Sequence, residues 1–595
     1  MTKAKNICRY YSIFITKVTY TKKVSKVLKG AAVLATAGLV AKIIGVLYRI
    51  PLTNIVGSVG IGLYQMIFPL YVVLLTISSG GLPIAISKVV AERLAKGDEK
   101  GARKVLRVAL ISLTSIGAVL SVVLFVLARL IARLQGNELA ALGYMGIAPA
   151  IVFVAIIACF RGYYQGKQNM VPSALSQIIE QIIKLGVGLV LAMLLLSRGV
   201  EYAVLGALIG VSLSEAVAAC ALWLQYLVGR IKEKRRDKKE GHPSVAASRL
   251  ATVNVEFGSD FVLQPIRNSH SISNPYANNK NLTAIKKEKP KSVLREIYRI
   301  AIPVTLGSLI IPLTQLLDSA MVINLLVRQG VATETATGLF GLLTGPVGTL
   351  INMPAVITLS LAVALLPKIA ECMAKKECAG RIVSQSLKFS FIFGLLATLT
   401  LAIFARPILS LLYSSGLSNA EITYAARLLT LGAISIIYVS IMQVATSVLQ
   451  GVGKAHIPAI NLLVGAAIKI GLTFLLLPRY GIMGAIIASV ACFSIVCVLD
   501  IFAMRKFIKL DIGVKEFLLV PLLAGVSFAG VAILLNWSLS KVLPSLAVMA
   551  ISGVVSLGVF ITIIFALKSV RISDFKKLKF FNRLLNRKKQ KNTNL

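Results

Sequence analysis

Residues 460–477 read INLLVGAAIKIGLTFLLL, one lysine in an otherwise almost wholly apolar run of helical length. About 20 such residues cross the roughly 30 Å hydrocarbon layer of a bilayer as a helix. Residues 108–128, VALISLTSIGAVLSVVLFVLA, repeat the pattern with no charge at all. Strands of a membrane barrel would alternate apolar and polar residues over about ten positions; neither run does. Lipid offers the backbone no water, so a helix, which satisfies its own N–H and C=O groups, is what these runs must form. Outward from them, the whole chain keeps the same character. Its 595 residues are 57% hydrophobic and 15% charged, with a mean hydropathy of +0.83. Soluble domains carry about 25% charge. The chain reads as an all-α polytopic membrane protein.

Repeating the exercise predicts about fourteen transmembrane helices, near residues 30–50, 64–86, 105–128, 139–160, 171–197, 202–228, 298–326, 336–366, 386–412, 422–449, 457–477, 481–504, 516–537 and 543–567. The net charge of +42 is spread between these spans rather than gathered on one module. Basic segments fall on alternate sides: the first 29 residues, 88–107, 161–167, 230–295, 368–388, 505–515 and the tail from Lys568. Positive segments stay cytoplasmic and meet anionic lipid there. The distribution therefore places both termini on the cytoplasmic side of a plasma membrane, and it excludes a nucleic-acid partner. Residues 7–20, interrupted by Arg9 and Lys17, make no signal-peptide core. The seven cysteines lack metal-ligand spacing, and with three histidines no metal or other cofactor is expected.

Residues 229–296 are one long polar interruption, opened by KEKRRDKKEGHPS and closed by KKEKPKS. They read as a flexible basic cytoplasmic linker. The expected organisation is a basic N-terminal extension (1–28), a six-helix bundle (29–228), the linker (229–296), a second six-helix bundle (297–506), two further helices (507–568) and a basic tail (569–595) whose Ile572, Phe575, Leu578 and Leu585 suit a helix lying on the anionic leaflet. The two bundles echo each other. Gln165-Gly166-Lys167, Pro172, Lys184 and Gly186 in the first recur as Gln450-Gly451, Gly453-Lys454, Pro458, Lys469 and Gly471 in the second. Likewise Tyr202 with Gly206-Ala207 recurs as Tyr480 with Gly484-Ala485. Such pseudo-twofold repeats place the substrate between the halves, near the midplane.

Three lysines, Lys42, Lys184 and Lys469, lie about a dozen residues into their spans. Facing lipid, each would cost about 2.5–3.5 kcal/mol, so together roughly 10 kcal/mol. They should face a wet cavity or a counter-charge. Gln177, Glu180, Gln181 and Lys184 form one polar stripe at i, i+3, i+4, i+7, with Glu180 placed to pair with Lys184 one turn on. Arg49 follows Lys42 by seven residues. Gln443, Thr446, Ser447 and Gln450 make a neutral stripe, Asn461, Gly465 and Lys469 line up on the next helix, and Gln315, Asp318 and Glu215 are further polar groups inside spans. Lys42 and Lys469 have no acid one turn away. The candidate cavity-lining, substrate-binding residues are thus Lys42, Arg49, Glu180, Lys184, Gln443, Asn461 and Lys469. Pro69, Pro83, Pro303, Pro312, Pro354 and Pro367, with Gly80-Gly81, are candidate helix breaks.

RGYYQGKQNM (161–170), SQIIEQIIK (176–184), GLPIAISK (81–88) leading to Glu92, and GIGLYQ (60–65) give the chain a likeness. Over residues 28–228 and 292–567 it resembles the stage V sporulation protein B-like polysaccharide exporters. These belong to the superfamily of multidrug, oligosaccharidyl-lipid and polysaccharide exporters, which includes the lipid II flippases. The N-terminal extension and the long linker depart from that pattern. The resemblance implies a V-shaped fourteen-helix flippase fold and a role in peptidoglycan or spore-cortex synthesis. The related lipid II flippases line their cavity with essential arginines; Lys42 matches the first of these as a cation, Arg49 the next to within a residue, and a third falls near Thr349.

No nucleotide-binding loop, zinc motif or nucleophile elbow occurs, so no enzyme is expected. The leading expectation is a flippase for a polyprenyl-pyrophosphate-linked saccharide, driven by a coupling ion or the membrane potential. A drug or cation antiporter of the same superfamily would need dominant acidic cavity residues. A non-transporting scaffold for spore-envelope assembly would use the linker as a docking arm, and a membrane glycosyltransferase would need an external catalytic domain.

Overall fold

The computed structural model describes residues 2–239, 290–374, 379–510, 513, 515–567 and 569, with side chains from residue 33 onward. The described residues form helices joined by short turns. In chain order these are α1 (Thr2–Ser79), α2 (Leu82–Ala95), α3 (Glu99–Leu134), α4 (Ala140–Ile147), α5 (Ala150–Gly166), α6 (Val171–Leu195) and α7 (Val200–Lys239). After the linker come α8 (Pro290–Arg328), α9 (Thr333–Leu342), α10 (Gly348–Ala374), α11 (Gly380–Ile403), α12 (Ala405–Tyr413), α13 (Asn419–Ala433), α14 (Ser435–Gly451), α15 (His456–Tyr480) and α16 (Ile482–Arg505). Two more, α17 (Val520–Leu539) and α18 (Ser545–Ala566), end the bundle. Local chemistry sets several starts. Asp98 accepts from the Gly101 N–H at 2.7 Å, Ser418 and Glu421 form a reciprocal capping box, and Pro83, Pro172 and Pro521 sit in the first turns of α2, α6 and α17.

The long α1 is a hairpin rather than a rod. Gly57, at φ 67°, breaks it, and the Tyr48 and Tyr64 ring centres are 6.5 Å apart. Sixteen residues along a straight helix would separate them by about 24 Å. Among the described residues, twelve helices are long and apolar enough to cross a membrane, thirteen if the 40° bent pair α13–α14 is one span. Residues Thr36–Ala95 count there as one although they double back, so the total comes close to the fourteen expected.

Several expected spans are broken where the sequence suggested continuity. The 139–160 span parts at Pro149 into α4 and α5. The 336–366 span carries a π-helical turn, Leu343–Val347, around Pro346, whose missing N–H cannot join the ladder. Gly80-Gly81 does break the second span, whereas helix runs on through Pro69, Pro303, Pro312, Pro354 and Pro367. The expected linker limits also move. Both flanking helices enter it, α7 to Lys239 and α8 from Pro290, and Glu233 holds the α7 extension by bonding Lys167 at 3.0 Å and approaching Arg103 at 3.7 Å. Burial pulls Lys167 down, but its hydrogen bond to Glu233, with Tyr163 beside it, outweighs this and raises it above the usual lysine value. The middle of the linker and the tail lie outside the described residues.

Hydrophobic burial gives the molecule its shape. One core joins both halves, from Tyr48, Leu52 and Ile61 in the α1 hairpin to Phe340, Leu428 and Ile486. Toward the basic ends of the helices the core divides. Ile86, Leu106, Phe160 and Leu222 cluster in the first half, together with Ile297 at the start of α8. Leu365, Val383, Val448 and Cys497 cluster separately in the second. The halves thus share one core at one end, the closed end, and keep separate cores at the basic end.

The closed end is tight because glycines let backbones touch. A Cβ on Gly341 would lie 2.1 Å from the Ser58 carbonyl oxygen, and one on Gly62 2.1 Å from that of Thr337. Hydrogen bonds tie the same end together: Asn54 Nδ2 donates to the Leu412 carbonyl (2.8 Å), Gln65 Nε2 to that of Thr344 (2.7 Å), and Ser58 bonds Glu421.

Candidate functional site

Polar side chains inside the spans gather into two clusters, one per half. In the first, α1 lies against α6. A Cβ on Gly38 would meet Gln177 Oε1 at 3.7 Å, and one on Gly45 would meet Gln181 Oε1 at 3.3 Å. Lys42 and Arg49 share that face of α1 by helical spacing. Lys42 is exposed and Arg49 half-buried. Lys184, three residues beyond Gln181, sits over two rings, 5.1 Å from the centre of Tyr48 and 5.3 Å from that of Phe68. Tyr48, Tyr64, Phe68 and Tyr71 form a continuous ladder of ring contacts, each between 5.6 and 6.5 Å. Aromatic faces attract an ammonium group by about 0.5–2 kcal/mol without neutralising it.

The Glu180–Lys184 ion pair expected from their spacing does not form. Glu180 is taken by Arg161, whose Nη2 lies 3.1 Å from its carboxylate while its Nε donates to Ser176 at 3.0 Å. A planar guanidinium can bond two acceptors at once, which an ammonium on the same helix cannot match. Glu215 on α7 is buried behind this pair, beside the Tyr71 hydroxyl and within electrostatic reach of Glu180, Arg161 and Lys184. Among the described residues, Lys42, Arg49 and Lys184 make no ion pair.

The second cluster is largely paired within itself, although Asp318 Oδ1 is buried without a hydrogen-bond partner among the described residues. Lys469, for which the sequence showed no nearby acid, is ion-paired across helices to Asp318 on α8, and both side chains are largely buried. Asp500 on α16 is fully buried and accepts from Asn461 Nδ2 (2.7 Å) and Thr446 Oγ1 (2.9 Å). Gln443 accepts from Thr358 at 2.7 Å. Gln443, Thr446, Ser447, Gln450 and Asp500 line a cavity of about 330 Å³ within this half. Thr349, where the resemblance would place a third arginine, is buried.

The two clusters obey one register. Arg161, Ser176 and Lys184 stand 285 residues before Thr446, Asn461 and Lys469, the offset that also relates Gln165 to Gln450 (450 − 165). In the first half positions 161 and 176 bond directly; in the second, positions 446 and 461 are bridged by Asp500.

Arg161 and Asp500 had not been singled out from the sequence. Arg161 reads as one more charge of a basic segment, and nothing local reveals that α6 brings Glu180 to it. Asp500 did carry a signal, a lone carboxylate inside the apolar run VCVLDIFAM.

Comparison with known proteins gives this geometry a relationship. Residues 27–255 match the family model described as "Polysaccharide biosynthesis protein". Stage V sporulation protein B of Bacillus subtilis (strain 168) is 30% identical over 501 residues, covering 83% of this chain and 86% of that protein. The chain belongs to the stage V sporulation protein B family. The lipid II flippase MurJ of the same organism is 25% identical over 483 residues, covering 78% of this chain and 80% of that protein. Among solved structures, lipid II flippase MurJ in an inward closed conformation aligns with a TM-score of 0.63 at 13% identity, covering 90% of this chain and 98% of that one. An inward-facing multidrug transporter of the MATE family aligns at 0.54, with 15% identity, 78% of this chain and 94% of that one. The family fold is therefore common to flippases and drug transporters, and the site must distinguish between them.

Proposed function

We propose that the chain is a flippase for a polyprenyl-pyrophosphate-linked saccharide, a cell-wall precursor of the lipid II kind, in peptidoglycan or spore-cortex synthesis. The observation that carries this is the set Lys42, Arg49 and Lys184: two lysines well inside spans of the first half and an arginine toward the end of its span, none ion-paired among the described residues. A pyrophosphate offers the counter-charge they lack, and charge-assisted bonds to its oxygens are the strong kind. Glu180 is ion-paired to Arg161, which offsets its repulsion of an anion, and Glu215 is buried. The basic end, taken as cytoplasmic, where the two halves keep separate cores, admits a head group from that side. The polyprenyl tail stays in lipid. Rocking of the halves about the glycine-packed end then re-exposes the site outside, driven by the membrane potential or an ion gradient.

The test is transport by the purified chain in proteoliposomes, offered a labelled polyprenyl-pyrophosphate saccharide and, separately, a lipophilic cationic drug. Saccharide flux without drug flux supports the reading. Drug flux without saccharide flux would make the chain an antiporter.

A further inference from the structure

A cleft of about 880 Å³ opens at the basic end of the first half, away from both clusters. Lys100, Arg103, Lys104 and Arg107 line it from the first turns of α3, spaced i, i+3, i+4, i+7 and hence on one face. Arg230 and Tyr226 face them from α7, with the guanidinium 6.0 Å from the ring centre. Pro290 and Leu294 of α8 complete the wall, and no carboxylate lines it among the described residues. Of the neighbouring acids, Asp98 caps α3 by accepting from the Gly101 N–H, while Glu99 and Glu233 both approach Arg103, at 4.0 and 3.7 Å, and Glu233 also binds Lys167. Lys104 is engaged within the protein. Among the described residues, Lys100, Arg107 and Arg230 are left without an ion pair, and the first two are exposed.

One turn further along α3 the wall turns apolar, with Val108, Leu110 and Ile111, the last 66% exposed. From Lys100 to Ile111 is about 16 Å along the helix. A cationic mouth above an apolar, outward-facing floor follows the profile of a bilayer leaflet from phosphate to acyl chain. Basic pockets between membrane helices on the cytoplasmic side suit phospholipid head groups.

We propose that this cleft seats the phosphate head group of an anionic glycerophospholipid of the cytoplasmic leaflet, with one acyl chain lying along Leu110 and Ile111. A free anion would use the cations but not the apolar floor. The neighbouring segment 240–289 carries six basic and four acidic residues, the wrong sign for this mouth. The bound lipid bridges α3, α7 and α8, so it fastens the helix that leads into the second half to the first bundle at the membrane surface. The site is separate from Lys42 and Lys184, and its test reads lipid binding, not flux.

The full chain is reconstituted in phosphatidylcholine nanodiscs containing a trace of spin-labelled phosphatidylglycerol. The triple variant Lys100→Gln, Arg107→Gln, Arg230→Gln should weaken phosphatidylglycerol binding on the order of 100-fold, at about fivefold per charge. The charge-keeping triple Lys100→Arg, Arg107→Lys, Arg230→Lys should stay within about threefold of wild type. Neutralising Arg381, Lys506 and Lys509, exposed on the second half, should leave binding unchanged. The proposal is overturned by unchanged binding in the glutamine triple, by an equal loss in the charge-keeping triple, or by an equal loss in the second-half control. Displacement of the labelled lipid by inorganic phosphate or by a synthetic 240–289 peptide would overturn it too.

Discussion

Lys469 and Lys42 look alike in the sequence, each a lone lysine in an oily run, yet their surroundings differ. Lys469 shares its charge with Asp318, and removing one member of a largely buried pair strands the other. Lys469→Met should therefore destabilise the protein by about 3–5 kcal/mol, and adding Asp318→Asn should restore much of that. Thermal unfolding in detergent reads both; equal stability of Lys469→Met and wild type would remove the pair from the energetics. Asp500 is buried and accepts two bonds, so Asp500→Ala orphans Asn461 and Thr446 and should cost about 2–4 kcal/mol, while Asp500→Asn, which keeps an acceptor, should cost less. The same melts order the two variants. Depth of a charge was legible from the sequence because it depends only on position within a run. Its partner was not, since Asp318 lies 151 residues from Lys469, and Arg161 outcompeted the lysine that helical spacing had assigned to Glu180.

At the level of elements, apolar run length located the spans, and glycine and proline punctuation located only some of their breaks. Gly80-Gly81 ends α1 because Gly81 must pass α8 closely: a Cβ there would lie 2.3 Å from the Ala301 carbonyl oxygen, and its N–H is held by Thr305 at 3.0 Å. Most prolines interrupt nothing, because neighbouring groups can satisfy the one carbonyl each leaves free. The glycine contact between Gly341 and Ser58 offers a sharper handle on mechanism. Gly341→Val cannot fit against that backbone, so the closed end should stay parted. Flux in proteoliposomes should fall at least tenfold with expression intact; normal flux would show that closure there is not needed for the cycle.

The whole molecule is two related bundles sharing one core at the closed end and keeping separate cores at the basic end. The repeat was readable from Gln165, Lys184 and their echoes at Gln450 and Lys469, because duplicated positions keep their register. That its two polar clusters differ in their pairing was not, for divergence lies in contacts: unpaired cations in one half, an ion pair and a bridging carboxylate in the other. If the linker is only a connection, deleting 240–289 and joining the ends with a flexible spacer should leave flux within about twofold; a scaffold would fail complementation of a null strain instead. The unpaired cations are the centre of the proposal. The most direct measurement is flux of a labelled polyprenyl-pyrophosphate saccharide through proteoliposomes holding Lys42→Gln, Lys184→Gln protein, matched to wild type for folded amount. Flux at least tenfold lower, with affinity for the pyrophosphate head group lost in parallel, is the expected result; wild-type flux from the doubly neutralised protein would contradict it.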